Sequence, residues 1–299
     1  MHAHHHDHVP PVTDAAGRAL GIGIVLNLAF VIIEAVAGIL GQSMALLADA
    51  AHNLGDVLGL VLAWGANRLT RRLASTQFSY GLGSTTILAA LVNGITLALV
   101  SLWILWEAGM RMIDPPDVHG LLVIGVALAG VVINTLTAWL LLSGQKDDLN
   151  VRGAFLHMAA DAAVSVAVAI SGVIVLLTGF SRIDPILSII VSVVILVPAA
   201  GLVRRSLQLV LQGVPDEIDL DEVARFLDSR PGVTDRHHLH VWALSTREMA
   251  LSVHLVMPQP PADSDAFLHE LQQDLQHRFR IRHATVQIEH GSRPCPIDD

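Results

Sequence analysis

Six apolar stretches, each about 18 to 25 residues long and so near the length that crosses a bilayer, constrain this chain more than any other feature of it. They occupy residues 19–40, 45–66, 85–106, 118–142, 154–177 and 185–203. At a rise of about 1.5 Å per residue each reaches across the roughly 30 Å of hydrocarbon in a membrane. The breaks between them are legible as Gly41-Gln42-Ser43, an Arg-rich segment over residues 67–83, Asp114-Pro115-Pro116-Asp117, and the segments 143–153 and 178–184. A chain with 53% hydrophobic and only 15% charged residues is too apolar for an ordinary soluble protein of 299 residues. Charges become frequent only after Val203, so a membrane domain is followed by a soluble one.

Basic residues in alternate connections set the expected orientation. One side holds Arg18, Arg68, Arg71, Arg72, Lys146, Arg152, Arg204 and Arg205, and the other only Arg111 and Arg182. The excess places both termini and the soluble domain in the cytoplasm. The opening residues are His-rich rather than Lys/Arg-led, and no small-residue cleavage site closes a short apolar region. The first helix is therefore expected to remain in the mature protein.

The expected organisation is a His-rich segment (1–18), a six-helix transport domain (19–205), a linker (206–212), a soluble domain (213–291) and a tail (292–299). Within the soluble domain, residues 219–229 and 264–279 have helical character, and residues 236–243, 249–257 and 284–289 alternate as strands. That αββαβ order predicts a small α+β open sandwich, metallochaperone-like, with helices on one face of a sheet.

A net charge of −9 with Lys146 as the one lysine excludes a nucleic-acid partner, which needs a basic stripe. The single cysteine, Cys295, excludes a disulfide framework and Cys-rich zinc modules, so a metal site must use His and carboxylate. Histidine is abundant, with 16 in the chain.

A titratable side chain at bilayer depth costs at least roughly 2.5–3.5 kcal/mol on insertion scales, which makes its presence a functional hypothesis. Such residues cluster here. The second helix carries Asp49, His52 and Asp56, the fifth carries His157 and Asp161, and the first carries Glu34; Asn27 and Asn134 are neutral companions. Residues four apart on a helix share a face, about 6 Å apart along the axis. Two such faces brought together converge two imidazoles and two carboxylates, a tetrahedral set that zinc accepts readily. Interhelical hydrogen-bonding glue is the competing explanation, but glue requires neither the repeated residue types nor the repeated spacing. Asp49 and Glu34 are candidates for a relay or staging role, or for packed protonated carboxyls.

Outside the membrane, His2, His4, His5, His6 and His8 form a tract suited to metal capture. In the soluble domain His237, His238, His240, His254, His283, Glu289 and His290 offer ligands for a further, regulatory metal site, while His269 and His277 fit a solvated helix surface.

These residues resemble the cation diffusion facilitator family of zinc transporters. The resemblance is carried by the run from Ser43 to Asp56 (SMALLADAAHNLGD), by Asn150 to Asp161 (NVRGAFLHMAAD), by Asp184-Pro185-Ile186, and by His240-Val241-Trp242 and Thr285 to Glu289 in the soluble domain. It implies a homodimer in the membrane, exchange of metal for protons, and a cytoplasmic domain that binds further zinc and helps hold the dimer. It also implies His52, Asp56, His157 and Asp161 as transport ligands and His240, His254, His283 and Glu289 as candidates for the cytoplasmic site. Which of His237, His238 and His240 serves there stays open. One departure is that Ser84-Thr85-Thr86 stand where the family often has a basic and an acidic residue entering the third helix, so an ion pair there is missing.

The expected function is thus a proton-coupled zinc antiporter of the bacterial inner membrane that exports metal, with Co2+, Cd2+ and Fe2+ as other candidate substrates. No Walker motif is present, in keeping with transport that hydrolyses nothing. The alternatives are an intramembrane metalloenzyme, disfavoured by the lack of an H-E-x-x-H motif and by four protein ligands leaving no open position, and a membrane-anchored metal sensor.

Overall fold

Five helices of the computed structural model are long and apolar enough to cross a membrane. They are α2 (Met44–Thr70), α3 (Thr85–Ile113), α4 (Gly120–Leu141), α5 (Leu149–Thr178) and α6 (Ile183–Val210). A shorter apolar helix, α1 (Leu28–Leu40), precedes them and completes the six expected. The structure describes residues 28–142 and 149–291. The His tract (His2, His4, His5, His6, His8), Asn27 and Cys295 lie outside the described residues. Exposed Leu, Ile and Val side chains such as Ile32, Ile39, Leu99, Leu121, Leu177 and Val194 cover the helices' outer faces, as a lipid solvent requires.

The chain divides into two compact units, Met1–Leu58 with Thr96–Pro198, and Gly59–Ile95 with Ala199–Asp299. The core of the first is aliphatic. Met44 and Ala48 of α2 pack with Ile104 of α3 and with Val191 and Ile195 of α6, while Ala45 and Leu46 pack with Val123 and Ala127 of α4 and Val168 of α5. Helices α4 and α5 approach closely at Gly120, where a Cβ would lie 2.7 Å from the Gly172 carbonyl oxygen. Small residues at such crossings let backbones touch, the main source of packing energy where lipid removes the hydrophobic drive.

The start of α2 is held by a residue far away in sequence. Ser43 caps the helix, its Oγ accepting from the Leu46 N–H at 3.1 Å. Asp184 of α6, 1% exposed, accepts at Oδ2 from the amides of Met44 (2.7 Å) and Ala45 (3.4 Å). Its Oδ1 accepts from the Ser43 hydroxyl. First-turn amides have no intrahelical acceptor, so this carboxylate satisfies donors that would otherwise be stranded in the apolar interior. Arg111 of α3 fixes the same corner by donating to the Gln42 carbonyl at 2.8 Å.

The second unit contains the αββαβ domain: α7 (Leu220–Asp228), β1 (Asp235–Ala243), β2 (Met249–Val256), α8 (Ser264–Phe279) and β3 (Ile281–Glu289). The sheet order is β1-β2-β3, antiparallel between β1 and β2 and parallel between β2 and β3. Leu251, Val253 and Leu255 of β2 face the helices and pack with Phe226, Leu227, Leu271 and Leu275. Asp219 caps α7 by accepting from the amides of Asp221 and Glu222. Asp263 caps α8 in the same way, accepting from the Ala266 amide.

Strand β3 starts three residues before the expected Ala284. Arg280 ends α8 in a left-handed conformation and the chain enters the sheet at once, Ile281 pairing with Met249. The register shifts between that pair and His283 opposite Ala250, so Arg282 is extra and the alternation is out of phase until Ala284.

In the same unit, the connection between α2 and α3 meets the β1–β2 turn. Ser84 Oγ donates to the Leu244 carbonyl at 3.3 Å, and the Thr246 N–H donates to Thr86 Oγ1 at 3.0 Å. Gly83 lies so close to the turn that a Cβ would be 2.7 Å from the Leu244 oxygen. Neutral hydrogen bonds thus occupy the position at which Ser84-Thr85-Thr86 leave no ion pair, as expected.

Candidate metal centre

Helices α2 and α5 bring the four expected residues of the first unit together. His52 and Asp56 share one face of α2, and His157 and Asp161 one face of α5, as their spacing dictates. The contacts then run crosswise: His52 Nε2 lies 3.2 Å from Asp161 Oδ1, and His157 Nε2 lies 3.1 Å from Asp56 Oδ2. Within each helix the corresponding distances are 3.8 Å (His52 to Asp56) and 3.6 Å (His157 to Asp161). The two imidazoles meet edge to face, with centroids 5.6 Å apart.

A zinc ion with bonds of about 2.0–2.1 Å to four tetrahedral ligands separates those ligands by about 3.3 Å. The four distances here, 3.1 to 3.8 Å, bracket that edge. Asp161 Oδ2 is buried without a hydrogen-bond partner, a state that a carboxylate serving as a cation ligand explains. Asp161 is nearly closed off, with 3% side-chain exposure, whereas His157 retains 40%, so the cluster is accessible from one side.

Around this cluster sit further buried polar groups. Asn53, next to His52, donates to Glu34 Oε2 at 3.1 Å, and Ser165 of α5 donates to Asp49 Oδ2 at 3.2 Å. Glu34, Asp49 and Asn134 are all buried, and neither acid belongs to the four-residue cluster.

A second cluster lies on the sheet face away from the helices. His237 and His254 are paired across β1 and β2. His254 Nδ1 is 2.9 Å from Glu289 Oε1, and His237 Nε2 is 3.3 Å from Glu289 Oε2. Although close to Glu289, His237 Nε2 is buried and makes no well-directed hydrogen bond. The bulge between His237 and His240 puts His238 and Leu239 opposite Val253 alone. His238 adopts a positive φ of 52° there, and its ring comes within 5.2 Å of His237 and 5.0 Å of His254 by centroid.

The other expected ligands of this domain stand apart from the cluster. His240 is exposed on β1, its ring 6.2 Å from His238, and His290 is exposed just beyond β3. His283 shares the strand with Glu289 but is six residues from it, about 20 Å along a β-strand. Its ring instead packs edge to face on Tyr80, with centroids 5.3 Å apart. His269 is on the exposed side of α8, in contact with Gln273.

Sequence reasoning gave Asp184 no role beyond its place in a resembling motif. Its side chain closes the start of the helix that carries His52 and Asp56. Only the adjoining Pro185, common at the first turn of a helix, marks the position locally.

A profile of the cation efflux transmembrane domain matches residues 20–211, and one of the cation efflux protein cytoplasmic domain matches residues 215–291. The chain is similar over 297 residues to a protein named zinc transporter ZitB of Escherichia coli (strain K12), with 37% identity covering 98% of this chain and 93% of the relative. It is 36% identical over 296 residues to the metal cation efflux system protein CzcD of Cupriavidus metallidurans, covering 99% of this chain and 92% of that one. A cadmium, cobalt and zinc/H(+)-K(+) antiporter of Bacillus subtilis (strain 168) is 33% identical over 276 residues, covering 91% and 88%.

Proposed function

The chain belongs to the cation efflux family of membrane transporters, and we propose that it exports zinc from the cytoplasm in exchange for protons, with His52, Asp56, His157 and Asp161 as the transport ligands. The observation that carries this reading is the crosswise approach of the two His/Asp pairs at the edge length of a zinc tetrahedron. Membership of a transporter family sets aside the metalloenzyme alternative.

An imidazole ligates metal only when neutral, so zinc arriving from the cytoplasm displaces protons from His52 and His157. Opening of the site to the other side lets those imidazoles take up protons again, which lowers affinity and releases the metal. Cobalt and cadmium, which appear in the name of one relative, share the nitrogen and oxygen donor set and are further candidate substrates, as is Fe2+.

Both termini and the αββαβ domain face the cytoplasm in this reading, following the excess of Arg and Lys on that side. The C-terminal domain holds two copies of the chain together in the membrane, as a match to a dimerising domain family supports. The cluster of His237, His254 and Glu289, with His238 beside it, is a regulatory zinc site in that domain.

Zinc uptake into proteoliposomes under an imposed pH gradient tests the transport reading, comparing the native chain with Asp56→Ala and Asp161→Ala. Native flux should follow the gradient and both variants should lose it. Flux indifferent to the gradient, or full activity in both variants, would sink the mechanism.

A further inference from the structure

Strands β1 and β2, which carry His237 and His254, fall out of step at one point. His237 pairs with His254 and His240 with Ser252, yet two residues, His238 and Leu239, stand between them opposite Val253. Leu239 packs against the core that the helices cover, taking the place a regular strand gives to a single residue. His238 is therefore the extra residue, and at a φ of 52° its ring lies on the outer face beside His237 and His254. In a regular strand consecutive histidines point to opposite faces. A left-handed conformation is uncommon outside glycine, and such strain is kept mainly where it serves a site.

The bulge thus gathers three evenly spaced imidazoles. Their centroids are 5.1 Å apart for His237 and His254, 5.2 Å for His237 and His238, and 5.0 Å for His238 and His254. Two imidazoles on one tetrahedral zinc, at bonds of about 2.0–2.1 Å, have centroids about 5.2 Å apart. Glu289 supplies a further corner, its oxygens next to His254 Nδ1 and His237 Nε2. His237 Nε2 is buried without a directed hydrogen bond, as a lone pair aimed at a cation leaves it. The ligand atoms of His237, His254 and Glu289 lie within 4.8 Å of one another, and three ligands leave a tetrahedral zinc one open position. We propose that His238 fills that position, closing the site with three imidazoles and one carboxylate from a single chain. Its ring presents a nitrogen to the centre by turning about the Cβ–Cγ bond. The proposal rests on the reading of His237, His254 and Glu289 as a zinc site. A closed, nitrogen-rich set holds zinc or cobalt and gives water no place, so the metal here ties β1, β2 and β3 together and does no chemistry.

Cobalt(II) in place of zinc reports the coordination. The full-length parent chain carries Asp161→Ala to disable the proposed transport site, and the part of its spectrum that His254→Ala removes belongs to this site. That part should show the strong d–d absorption of four-coordinate cobalt. It should stay unchanged on adding thiocyanate, which binds only where a position is open or held by water. His238→Gly removes the ring from a backbone conformation that glycine adopts freely. It should weaken cobalt and zinc binding at this site about tenfold or more, and its spectrum should then shift with thiocyanate. His240→Ala, on the same strand, should change neither. A parent spectrum that responds to thiocyanate, or a His238→Gly affinity within about twofold of the parent, overturns the proposal. So does an open site produced by His240→Ala and not by His238→Gly. The parent spectrum decides alone should the glycine variant fail to fold. If His254→Ala removes no bound cobalt, the reading of the zinc site itself fails instead.

Discussion

Replacing Asp184 by alanine removes the acceptor for two buried amides and a buried hydroxyl at the start of α2. Loss of a helix cap costs about 0.5–2 kcal/mol, and a buried donor left without a partner about 1–3 kcal/mol. The Met44 amide, bonded at 2.7 Å, carries most of that cost. The Ala45 contact at 3.4 Å is weak, and the Ser43 hydroxyl can rotate. The expected destabilisation is about 3 kcal/mol for Asp184→Ala and about 1 kcal/mol for Asp184→Asn, which keeps an acceptor but loses the charge favoured at a helix N-terminus. Unfolding in mixed detergent and denaturant micelles, followed by circular dichroism, measures both. His52 lies about 12 Å along α2 from Met44, beyond the range at which substitutions usually couple. Zinc affinity should accordingly stay within about a factor of two. An alanine variant within about 0.5 kcal/mol of the native chain would refute the capping argument, and one with normal stability but tenfold weaker zinc would show that the carboxylate acts on the metal itself.

Acidification should weaken zinc binding at the transport site with a slope approaching two protons per metal, because both imidazoles must be neutral to ligate; calorimetry over a pH series reads the slope, and a pH-independent affinity would contradict it. On α4, Gly120→Ala should destabilise by about 1–3 kcal/mol because its Cβ would meet the Gly172 carbonyl. Gly125→Ala, with nothing within 4 Å, should be neutral or stabilising by up to about 1 kcal/mol. Equal effects in the same unfolding assay would mean that the α4–α5 contact is not as close as described. In a chain whose proposed transport site is disabled by Asp161→Ala, His254→Ala should lower the remaining zinc stoichiometry by about one ion per chain while His283→Ala leaves it unchanged; the reverse result would move the cytoplasmic site to the other end of β3.

What could be read from the sequence was local. The His52/Asp56 and His157/Asp161 pairs were visible because both members sit within one turn of one helix, where 3.6-residue periodicity fixes their common face. The crosswise pairing of His52 with Asp161 and His157 with Asp56 depends on how α2 packs on α5, and no local signal encodes it. The same limit hid Asp184, whose partners lie about 140 residues away. In the αββαβ domain, element types followed from alternation, but two irregularities did not. The bulge at His238 splits one run of histidines into a cluster member (His237), a neighbour (His238) and an exposed residue (His240), and the extra residue at Arg282 shifts the phase of β3. Because alternation is a period of two, one added residue reverses every side chain beyond it, and the histidine that reaches the metal cluster cannot be picked by counting.

Charge balance constrains what the His/Asp cluster of the first unit can hold. With neutral imidazoles, Asp56 and Asp161 leave the proposed transport site two negative charges, which an apolar surround tolerates only if a cation neutralises them. One zinc ion does so, and two protons on His52 and His157 do so equally. Exchange of one for the other leaves the charge of the site unchanged, so under the proposed antiport the pH difference across the membrane supplies the drive and the membrane potential adds little at this step.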